Sequence, residues 1–158
     1  MYRSGIGYDI HRTQTGRPLV LGGVRIDSPL GLEGHSDADV VMHALCDALL
    51  GAAGLGDIGE HFSDSDPANK DADSRRFLVE VVRLVRAAGF EPVNVDVMIL
   101  AEQPRLKPHK AAMRANLAEI LGLAESAVNI KAGTNEKLDA IGELRGMACL
   151  ATAMVKVS

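Results

Sequence analysis

The segment from residue 34 to residue 50 constrains the fold of this chain more than any other. Ser36 followed by Asp39 is a capping-box pattern, which predicts a helix that begins near Asp37. Apolar residues then recur at helical spacing on one broad face, namely Val40, Val41, Ala44, Leu45, Ala48, Leu49 and Ala52. A helix with so wide an apolar face must pack against a core, and we expect it to end near Gly54.

A polar stripe interrupts this helix. His43 lies one turn after Asp39 and one turn before Asp47, so the three ionisable side chains share one side. The stripe is either a solvated face or a surface that holds a ligand, and the helix alone does not distinguish the two. We expect Asp39 to cap the helix or to orient His43.

The segment from residue 5 to residue 11 alternates in the manner of a β-strand. Asp9 and His11 point together from one face, which also carries Gly5 and Gly7. The glycines leave room for another element to approach the backbone. The opposite face carries the apolar side chains Ile6, Tyr8 and Ile10.

Asp9, His11 and the helical His43 form a candidate metal site. Two imidazoles and one carboxylate suit a zinc ion that keeps its fourth position open, as catalytic zinc sites do. The alternative is a hydrogen bond between Asp9 and His11 at the end of a strand, with His43 unrelated to either.

The remaining segments predict a mixed α+β domain. Further strands are expected at residues 19–26, 93–99, 128–132 and 147–157, and further helices at residues 74–88 and 108–121. Residues 55–59 predict a tight turn, and the polar, acidic residues 60–73 predict a loop over a site. We expect one domain over residues 1–158, with a mainly four-stranded sheet covered by helices.

Composition and charge exclude some classes of function. The net charge of −4 argues against nucleic-acid or anionic-membrane binding, because both need a basic surface. The N-terminus lacks a secretory pattern and no apolar run reaches membrane-spanning length, so we expect a cytoplasmic protein. Cys46 and Cys149 show no Cys-x-x-Cys spacing and are expected to be buried, reduced thiols rather than a disulfide.

Several long motifs resemble one enzyme family. They are Gly-Tyr-Asp-Ile-His near the N-terminus, Gly-His-Ser-Asp-Ala-Asp-Val-x-x-His-Ala-x-x-Asp, and Leu-Gly-Asp-Ile-Gly-x-x-Phe-x-Asp-x-Asp-Pro. Asn-Val-Asp at residues 94–96, Pro104 with Pro108, and Thr-x-Glu-Lys-Leu at residues 134–138 extend the similarity nearly end to end. In this order they resemble the 2-C-methyl-D-erythritol 2,4-cyclodiphosphate synthases of the non-mevalonate isoprenoid pathway.

The resemblance implies two metal ions. Asp9, His11 and His43 become the zinc ligands, one zinc ion per subunit. Glu136 matches the single carboxylate that holds a magnesium or manganese ion on the nucleotide diphosphate.

The resemblance also implies the substrate contacts. His35, Ser36 and Thr134 would face phosphates, with His35 and Thr134 in catalytic roles; for His35 the alternative is a loop histidine without a partner. Contacts to the erythritol hydroxyls would come from Asp47, Asp57, Ile58, Gly59 and Asp64. For Asp64 the alternative is simple solvation in an acidic loop. Cytosine would be bound by Pro104, Arg105 and Leu106 with Ala101, and further substrate contacts would come from Ala132 and Gly133.

The implied reaction is an intramolecular phosphoryl transfer. The 2-phosphate of 4-diphosphocytidyl-2-C-methyl-D-erythritol 2-phosphate attacks the β-phosphorus, and cytidine monophosphate leaves. The family is a homotrimer with active sites between subunits, so the expected partners are this small molecule and two further copies of the chain. The alternatives are a non-catalytic trimeric relative that binds nucleotides or prenyl diphosphates, and a zinc phosphohydrolase.

A few positions depart from the family pattern. Gly133 and Asn135 stand where threonines are usual, which removes a hydroxyl that would contact phosphate. Glu143 and Arg145 exchange the places of the usual arginine and glutamate near a threefold cavity that can hold an isoprenoid diphosphate. We therefore expect this chain not to bind prenyl diphosphates there.

Overall fold

A mixed five-stranded sheet lies at the centre of the computed structural model, which describes residues 1–62 and 72–158. Its strands are β1 Tyr2–Thr15, β4 Leu30–Leu32, β5 Phe90–Leu100, β6 Val128–Gly133 and β7 Gly146–Val157. They lie in the order β4-β1-β7-β5-β6, and among these described strands only the β5–β6 pair is parallel. The mixed α+β class is confirmed, but the sheet has five strands, because the segment before the first long helix pairs with the end of β1 as β4.

The single strand expected at residues 19–26 is in fact a hairpin. β2 Leu19–Leu21 and β3 Val24–Ile26 pair with each other in a separate two-stranded sheet. Gly22 and Gly23 form the turn with φ of 57° and 74°. Two successive positive φ angles reverse the chain within two residues, and glycine adopts them without steric cost. The paired glycines therefore mark a reversal of the chain and not an interruption within one strand.

The helix that contains His43 begins later than predicted. α1 spans Val40–Ala53, and its N-cap is Asp39, whose carboxylate accepts hydrogen bonds from the backbone N–H groups of Val41 and Met42. The predicted start near Asp37 was three residues early, because the capping residue is the buried aspartate and not Ser36. The helix ends at Gly54 in a left-handed conformation, as predicted.

Asp39 also fixes the position of the β2–β3 hairpin. Its carboxylate accepts hydrogen bonds from the backbone N–H groups of Gly22 and Gly23, at 2.9 and 2.8 Å. The side chain is fully buried, and burial raises its pKa to about 6 even though these N–H groups favour the charged form. Of the two roles expected for Asp39, capping is confirmed.

The other two long helices agree with the prediction. α3 spans Ser74–Ala87, and α4 spans Lys110–Leu121 after a 3₁₀ turn at Lys107–His109. Two four-residue helices, α2 at Ile58–His61 and α5 at Asp139–Gly142, were not predicted. No helix in the two described ranges is both long enough and apolar enough to cross a membrane.

Helix α1 packs unusually closely on strand β1. A Cβ atom added to Gly5 would lie 2.1 Å from the carbonyl oxygen of Ala48, and one added to Gly7 would lie 1.8 Å from that of Ala44. The glycine face of β1 is therefore the face that the helix covers, as the two glycines suggested.

The opposite, apolar face of the same strand is exposed. Ile6, Tyr8 and Ile10 have 66%, 52% and 44% of their surface accessible. Within the core, Cys46 and Cys149 are buried and free, which confirms the expectation of two unpaired thiols.

We predict that Gly7→Ala destabilises the protein while Gly51→Ala, in α1 itself, does not. The added methyl group at position 7 meets a backbone carbonyl that cannot move without shifting α1, so the free energy of unfolding should fall by at least about 2 kcal/mol. At position 51 the nearest atom lies at 4.0 Å, and alanine should stabilise the helix by about 0.5–1 kcal/mol. Urea unfolding of both variants tests this. Equal stability of Gly7→Ala and the unaltered chain would contradict the packing.

Candidate functional site

The two elements that pack so closely bring three ligand atoms together. Asp9 and His11 project from β1 towards α1, and His43 projects from α1 towards β1. The Asp9 Oδ2 atom lies 3.1 Å from His11 Nε2 and 3.2 Å from His43 Nδ1. Ligand atoms of these partly buried residues all lie within 4.8 Å of one another.

The electrostatics of this cluster suit a cation. Burial would raise the pKa of Asp9, but hydrogen bonding with the His11 ring, together with the adjacent His43 ring, outweighs burial and holds the pKa well below its usual range. The carboxylate is therefore ionised at neutral pH. One carboxylate oxygen with two imidazole nitrogens around it is a donor set that fits zinc with an open fourth position. The residues present therefore fit a zinc ion.

The second nitrogen of His43 contacts Ser36, which was predicted for the site, and Ser74, which was not. His43 Nε2 lies 2.9 Å from Ser74 Oγ and 3.3 Å from Ser36 Oγ. Ser74 in turn donates two hydrogen bonds to Asp37, from its backbone N–H to Oδ2 at 3.1 Å and from its hydroxyl to Oδ1. Ser74 begins α3 and lies 37 residues from Asp37, so no local pattern in the sequence links them.

A cavity of about 370 Å³ opens beside the cluster. Its lining contains the three candidate ligands Asp9, His11 and His43. Four further lining residues were predicted for the site, namely His35, Ser36, Ile58 and Gly59. Three were not predicted, namely Gly34, Phe62 and Phe77. The structure thus places the predicted phosphate-facing pair and part of the predicted hydroxyl-binding segment around the candidate metal ligands. Their roles stay predictions.

Of the other acids predicted to bind substrate, the described Asp47 and Asp57 are not in this lining. Asp47 Oδ1 accepts a hydrogen bond from the Ile58 N–H at 2.7 Å and so holds the start of α2 against α1. Burial raises the pKa of Asp47. Asp57 caps α2 by accepting from the Glu60 N–H at 3.0 Å. Asp64 lies outside the described residues.

Arg17 holds the loop that carries His35. Its guanidinium donates to the carbonyl oxygen of Gly34 at 2.9 Å and to that of Ser36 at 2.8 Å, so it binds the backbone on both sides of His35. No local pattern predicts this contact, because Arg17 lies in the turn after β1, 17 to 19 residues from the residues it binds.

A second cavity, of about 640 Å³, gathers the residues predicted to bind cytidine. It is lined by the predicted Ala101, Pro104, Arg105, Leu106, Ala132, Gly133 and Thr134, and also by Glu102, Gln103, Lys107 and Lys110. Glu102 accepts hydrogen bonds from the backbone N–H groups of Asn135 and Lys137, which secures the loop after β6. Glu136 is exposed beside this cavity, where its Oε1 accepts from the Thr134 hydroxyl at 3.3 Å.

The two cavities lie at the same end of the sheet. Asp9 pairs with Cys149 on β7, Cys149 pairs with Ile99 on β5, and Ile99 pairs with Ala132 on β6. Three strand spacings separate Asp9 from Ala132, which corresponds to about 14 Å. None of the described residues lines both cavities, so the two are separate within the described part of the chain.

Comparisons with known proteins agree on one family. The model of the YgbB family matches residues 2–156. A 2-C-methyl-D-erythritol 2,4-cyclodiphosphate synthase of Bordetella petrii is 53% identical over 98% of this chain and 95% of its own length. One from Chlorobaculum tepidum is 51% identical over 98% of each chain.

Solved structures give the same result. The bifunctional IspDF of Campylobacter jejuni is 46% identical with a TM-score of 0.96, and this chain spans all of its own length but 43% of that chain. A CDP-bound 2C-methyl-D-erythritol-2,4-cyclodiphosphate synthase is 39% identical with a TM-score of 0.90, over 98% of this chain and 100% of that chain. The CDP complex of Plasmodium falciparum IspF is 31% identical with a TM-score of 0.87, over 99% of this chain and 97% of that chain.

We predict that Arg17→Ala loosens the loop around His35. Losing two hydrogen bonds from a charged donor should make amide hydrogen exchange at residues 34–38 about 10- to 30-fold faster. Arg25→Ala is the matched control, because Arg25 is an exposed arginine that lines the same surface cavity as Arg17. Hydrogen exchange followed by mass spectrometry measures both. Equal exchange rates in the two variants would contradict the role of Arg17.

Proposed function

The chain belongs to the YgbB family, and from that premise we propose that it is a cyclising enzyme that forms 2-C-methyl-D-erythritol 2,4-cyclodiphosphate. The observation that carries the proposal is the convergence of Asp9, His11 and His43 beside a cavity that also holds His35 and Ser36. This convergence occurs in a chain whose relatives match it over nearly their whole length.

In the proposed reaction, a 2-phosphate oxygen of 4-diphosphocytidyl-2-C-methyl-D-erythritol 2-phosphate attacks the β-phosphorus of the same molecule. The bond from the β-phosphorus to the oxygen bridging the two phosphates breaks, and cytidine monophosphate leaves with that oxygen. Such a transfer depends on positioning and on charge neutralisation. The attacking phosphate is already anionic, so no residue is needed as a general base.

Two metal ions belong to the proposal. Asp9, His11 and His43 would hold zinc and Glu136 would hold magnesium or manganese, and these ions, when bound, supply the positive charge that polarises the diphosphate and eases departure of the nucleotide. A protein with a net charge of −4 needs such a source of positive charge at a site for a highly charged anion.

The residues around the first cavity would orient the erythritol phosphate end of the substrate. His35 and Ser36 lie on the loop whose backbone carbonyl oxygens are hydrogen-bonded to Arg17, so their positions are set before substrate binds. Asp47 uses one carboxylate oxygen to fix the Ile58 N–H and leaves the other for a substrate hydroxyl. Backbone groups of Asp57, Ile58 and Gly59 and the side chain of Asp64 are proposed to complete these contacts.

The second cavity would hold the cytidine end. Backbone groups of Ala101, Pro104, Arg105, Leu106, Ala132 and Gly133 are proposed to recognise the base, and Thr134 is proposed to donate to a phosphate. Lys107 and Lys110 on the same lining add positive charge near the diphosphate. Two of the related solved structures are described as complexes with CDP, which supports a cytidine nucleotide as the ligand of this region.

We further propose that the chain, as a single domain over residues 1–158, acts as a homotrimer in the cytoplasm. Two separate cavities in one chain, whose residues Asp9 and Ala132 lie three strand spacings or about 14 Å apart, suit a site completed by a neighbouring copy. An exposed apolar face of the sheet supports an interface between copies; it consists of Ile6, Tyr8, Ile10, Leu150 and Met154. Two buried, free cysteines fit a reducing compartment.

The expectation about prenyl diphosphates stays a prediction. Arg145 is engaged by Glu143, with 2.7 Å between Arg145 Nε and Glu143 Oε2. The paired carboxylate offsets the positive charge of the arginine, so the pair attracts a diphosphate less strongly. This supports the proposal that the threefold cavity does not hold one.

The proposed activity is tested by incubation with the diphosphocytidyl substrate, zinc and magnesium, followed by phosphorus NMR. We expect the cyclic diphosphate and cytidine monophosphate as the only products. His43→Ala is the control and should bind little zinc and form no product while it keeps its circular dichroism spectrum. Linear phosphates alone would indicate a phosphohydrolase, and no turnover with zinc bound would indicate a non-catalytic binding protein; either result would overturn the proposal.

The proposed assembly is tested by placing a charge on the exposed sheet face. Tyr8→Glu buries an unpaired carboxylate if that face is an interface, so the variant should elute as a monomer in light scattering coupled to gel filtration. Val79→Glu on α3 is the matched control, because Val79 is exposed to a similar extent, 50% against 52%. We expect it to stay a trimer. A trimeric Tyr8→Glu would contradict the assignment of this face.

A further inference from the structure

The structure assigns a task to Asp37 and Ser74, two residues outside the proposed ligand set. We propose that they position His43 as a metal ligand by fixing which of its two ring nitrogens carries the proton. This inference rests on the proposed zinc site and deepens it, because it explains how one ligand atom of that site is kept open.

Asp37 determines which partner donates in its hydrogen bonds with Ser74. An ionised carboxylate can only accept, so both groups of Ser74 that contact it must be donors. The Ser74 N–H donates to Asp37 Oδ2 at 3.1 Å, and the Ser74 hydroxyl donates to Asp37 Oδ1. Ser74 is fully buried, so its hydroxyl has no solvent to turn towards and its single proton is used on Asp37.

Ser74 in turn determines which partner donates in its hydrogen bond with His43. With its proton committed, Ser74 Oγ can only accept, and His43 Nε2 at 2.9 Å is placed to donate to it. Ser36 Oγ also accepts from the Ala38 N–H and lies 3.3 Å from the same nitrogen, so the shorter contact with Ser74 Oγ decides the direction of the His43 hydrogen bond. A neutral imidazole carries one N–H, so a proton on Nε2 leaves a lone pair on Nδ1.

That lone pair points at the proposed metal position. His43 Nδ1 lies 3.2 Å from Asp9 Oδ2, and His11 Nε2 lies 3.1 Å from the same oxygen. If the proton lay on Nδ1 instead, it would form a hydrogen bond to Asp9 and close the ligand position. Asp9 therefore favours the tautomer with the proton on Nδ1. Asp37, acting through Ser74, favours the tautomer with the proton on Nε2. A partner on the far nitrogen of a metal-binding histidine is a general means of fixing its tautomer.

Asp37→Asn reverses this direction with almost no change in shape. When the asparagine oxygen accepts from the Ser74 N–H, its NH₂ group donates to the Ser74 hydroxyl oxygen, and the hydrogen bond that Asp37 Oδ1 accepts from the Asp39 N–H at 3.2 Å is lost. The hydroxyl proton is released and can be donated to His43 Nε2, which moves the ring proton to Nδ1. Ser74→Ala removes the contact altogether. Asp73→Asn is the matched control, because Asp73 caps the same helix through the Arg75 N–H and asparagine caps equally well.

Two measurements on the full chain test the inference. Zinc dissociation constants come from competition with a chromogenic chelator at pH 8, and the His43 tautomer comes from nitrogen-15 NMR of the zinc-free protein at the same pH. We expect Asp37→Asn and Ser74→Ala to weaken zinc binding about 10- to 100-fold, and Asp37→Asn to move the ring proton from Nε2 to Nδ1. Asp73→Asn should change neither quantity. Ser74→Thr keeps the hydroxyl. If its ring proton lies on Nε2, its zinc affinity should return from that of Ser74→Ala to that of the unaltered chain.

The outcomes separate this inference from the proposed activity. Zinc affinities within twofold of the unaltered chain in both variants, or a ring proton on Nδ1 in the unaltered chain, would overturn the positioning role. Thermal unfolding of each variant shows whether it folds; if Asp37→Asn does not, Ser74→Ala with its threonine counterpart still decides. A chain that binds zinc and shows the expected tautomer but forms no cyclic product would overturn the proposed activity alone.

Discussion

The close approach of helix α1 to strand β1 is the contact on which the rest of the structure depends. Side chains larger than hydrogen at positions 5 and 7 would collide with helix carbonyl oxygens, so glycine there lets backbone pack on backbone. At this separation His43 reaches within hydrogen-bonding distance of Asp9. A helix held farther away by side chains would leave its histidine short of the strand, and three ligand atoms would no longer meet.

Polar contacts fix the helix along and around its axis as firmly as the glycines fix its distance. Asp39 accepts four backbone N–H groups, two from the first turn of α1 and two from the turn of the β2–β3 hairpin. A buried carboxylate is costly unless its hydrogen bonds are made, so this residue ties the start of the helix to one place. Arg17 then fixes the loop before the helix, and Ser74 fixes the ring of His43 from the far side.

The sequence predicts those features that depend on residues close together in the chain. Alternation over residues 5–11 placed Asp9 and His11 on one face, Gly54 ended α1 as expected, and α4 ends at Leu121 as predicted. The start of α1 was missed because two candidate caps lie three residues apart, and only burial of Asp39 decides between them. Residues 19–26 predict a single strand, because the positive φ angles of Gly22 and Gly23 cannot be known from the sequence.

Features that depend on distant residues could not be predicted. Ser74 and Asp37 meet only when α3 packs beside the start of α1, and Arg17 meets its loop only when β4 pairs with β1. Periodicity alone left the Asp9, His11 and His43 cluster as one of two alternatives. The structure brings their ligand atoms within 4.8 Å, which favours the metal site.

The most direct test is an anomalous difference map at the zinc absorption edge, from crystals of protein purified with zinc. We expect one strong peak per chain, about 2.0–2.2 Å from an Asp9 carboxylate oxygen, His11 Nε2 and His43 Nδ1. No peak between β1 and α1, or a peak bound through His43 Nε2, would contradict both the site and the way in which α1 presents its histidine.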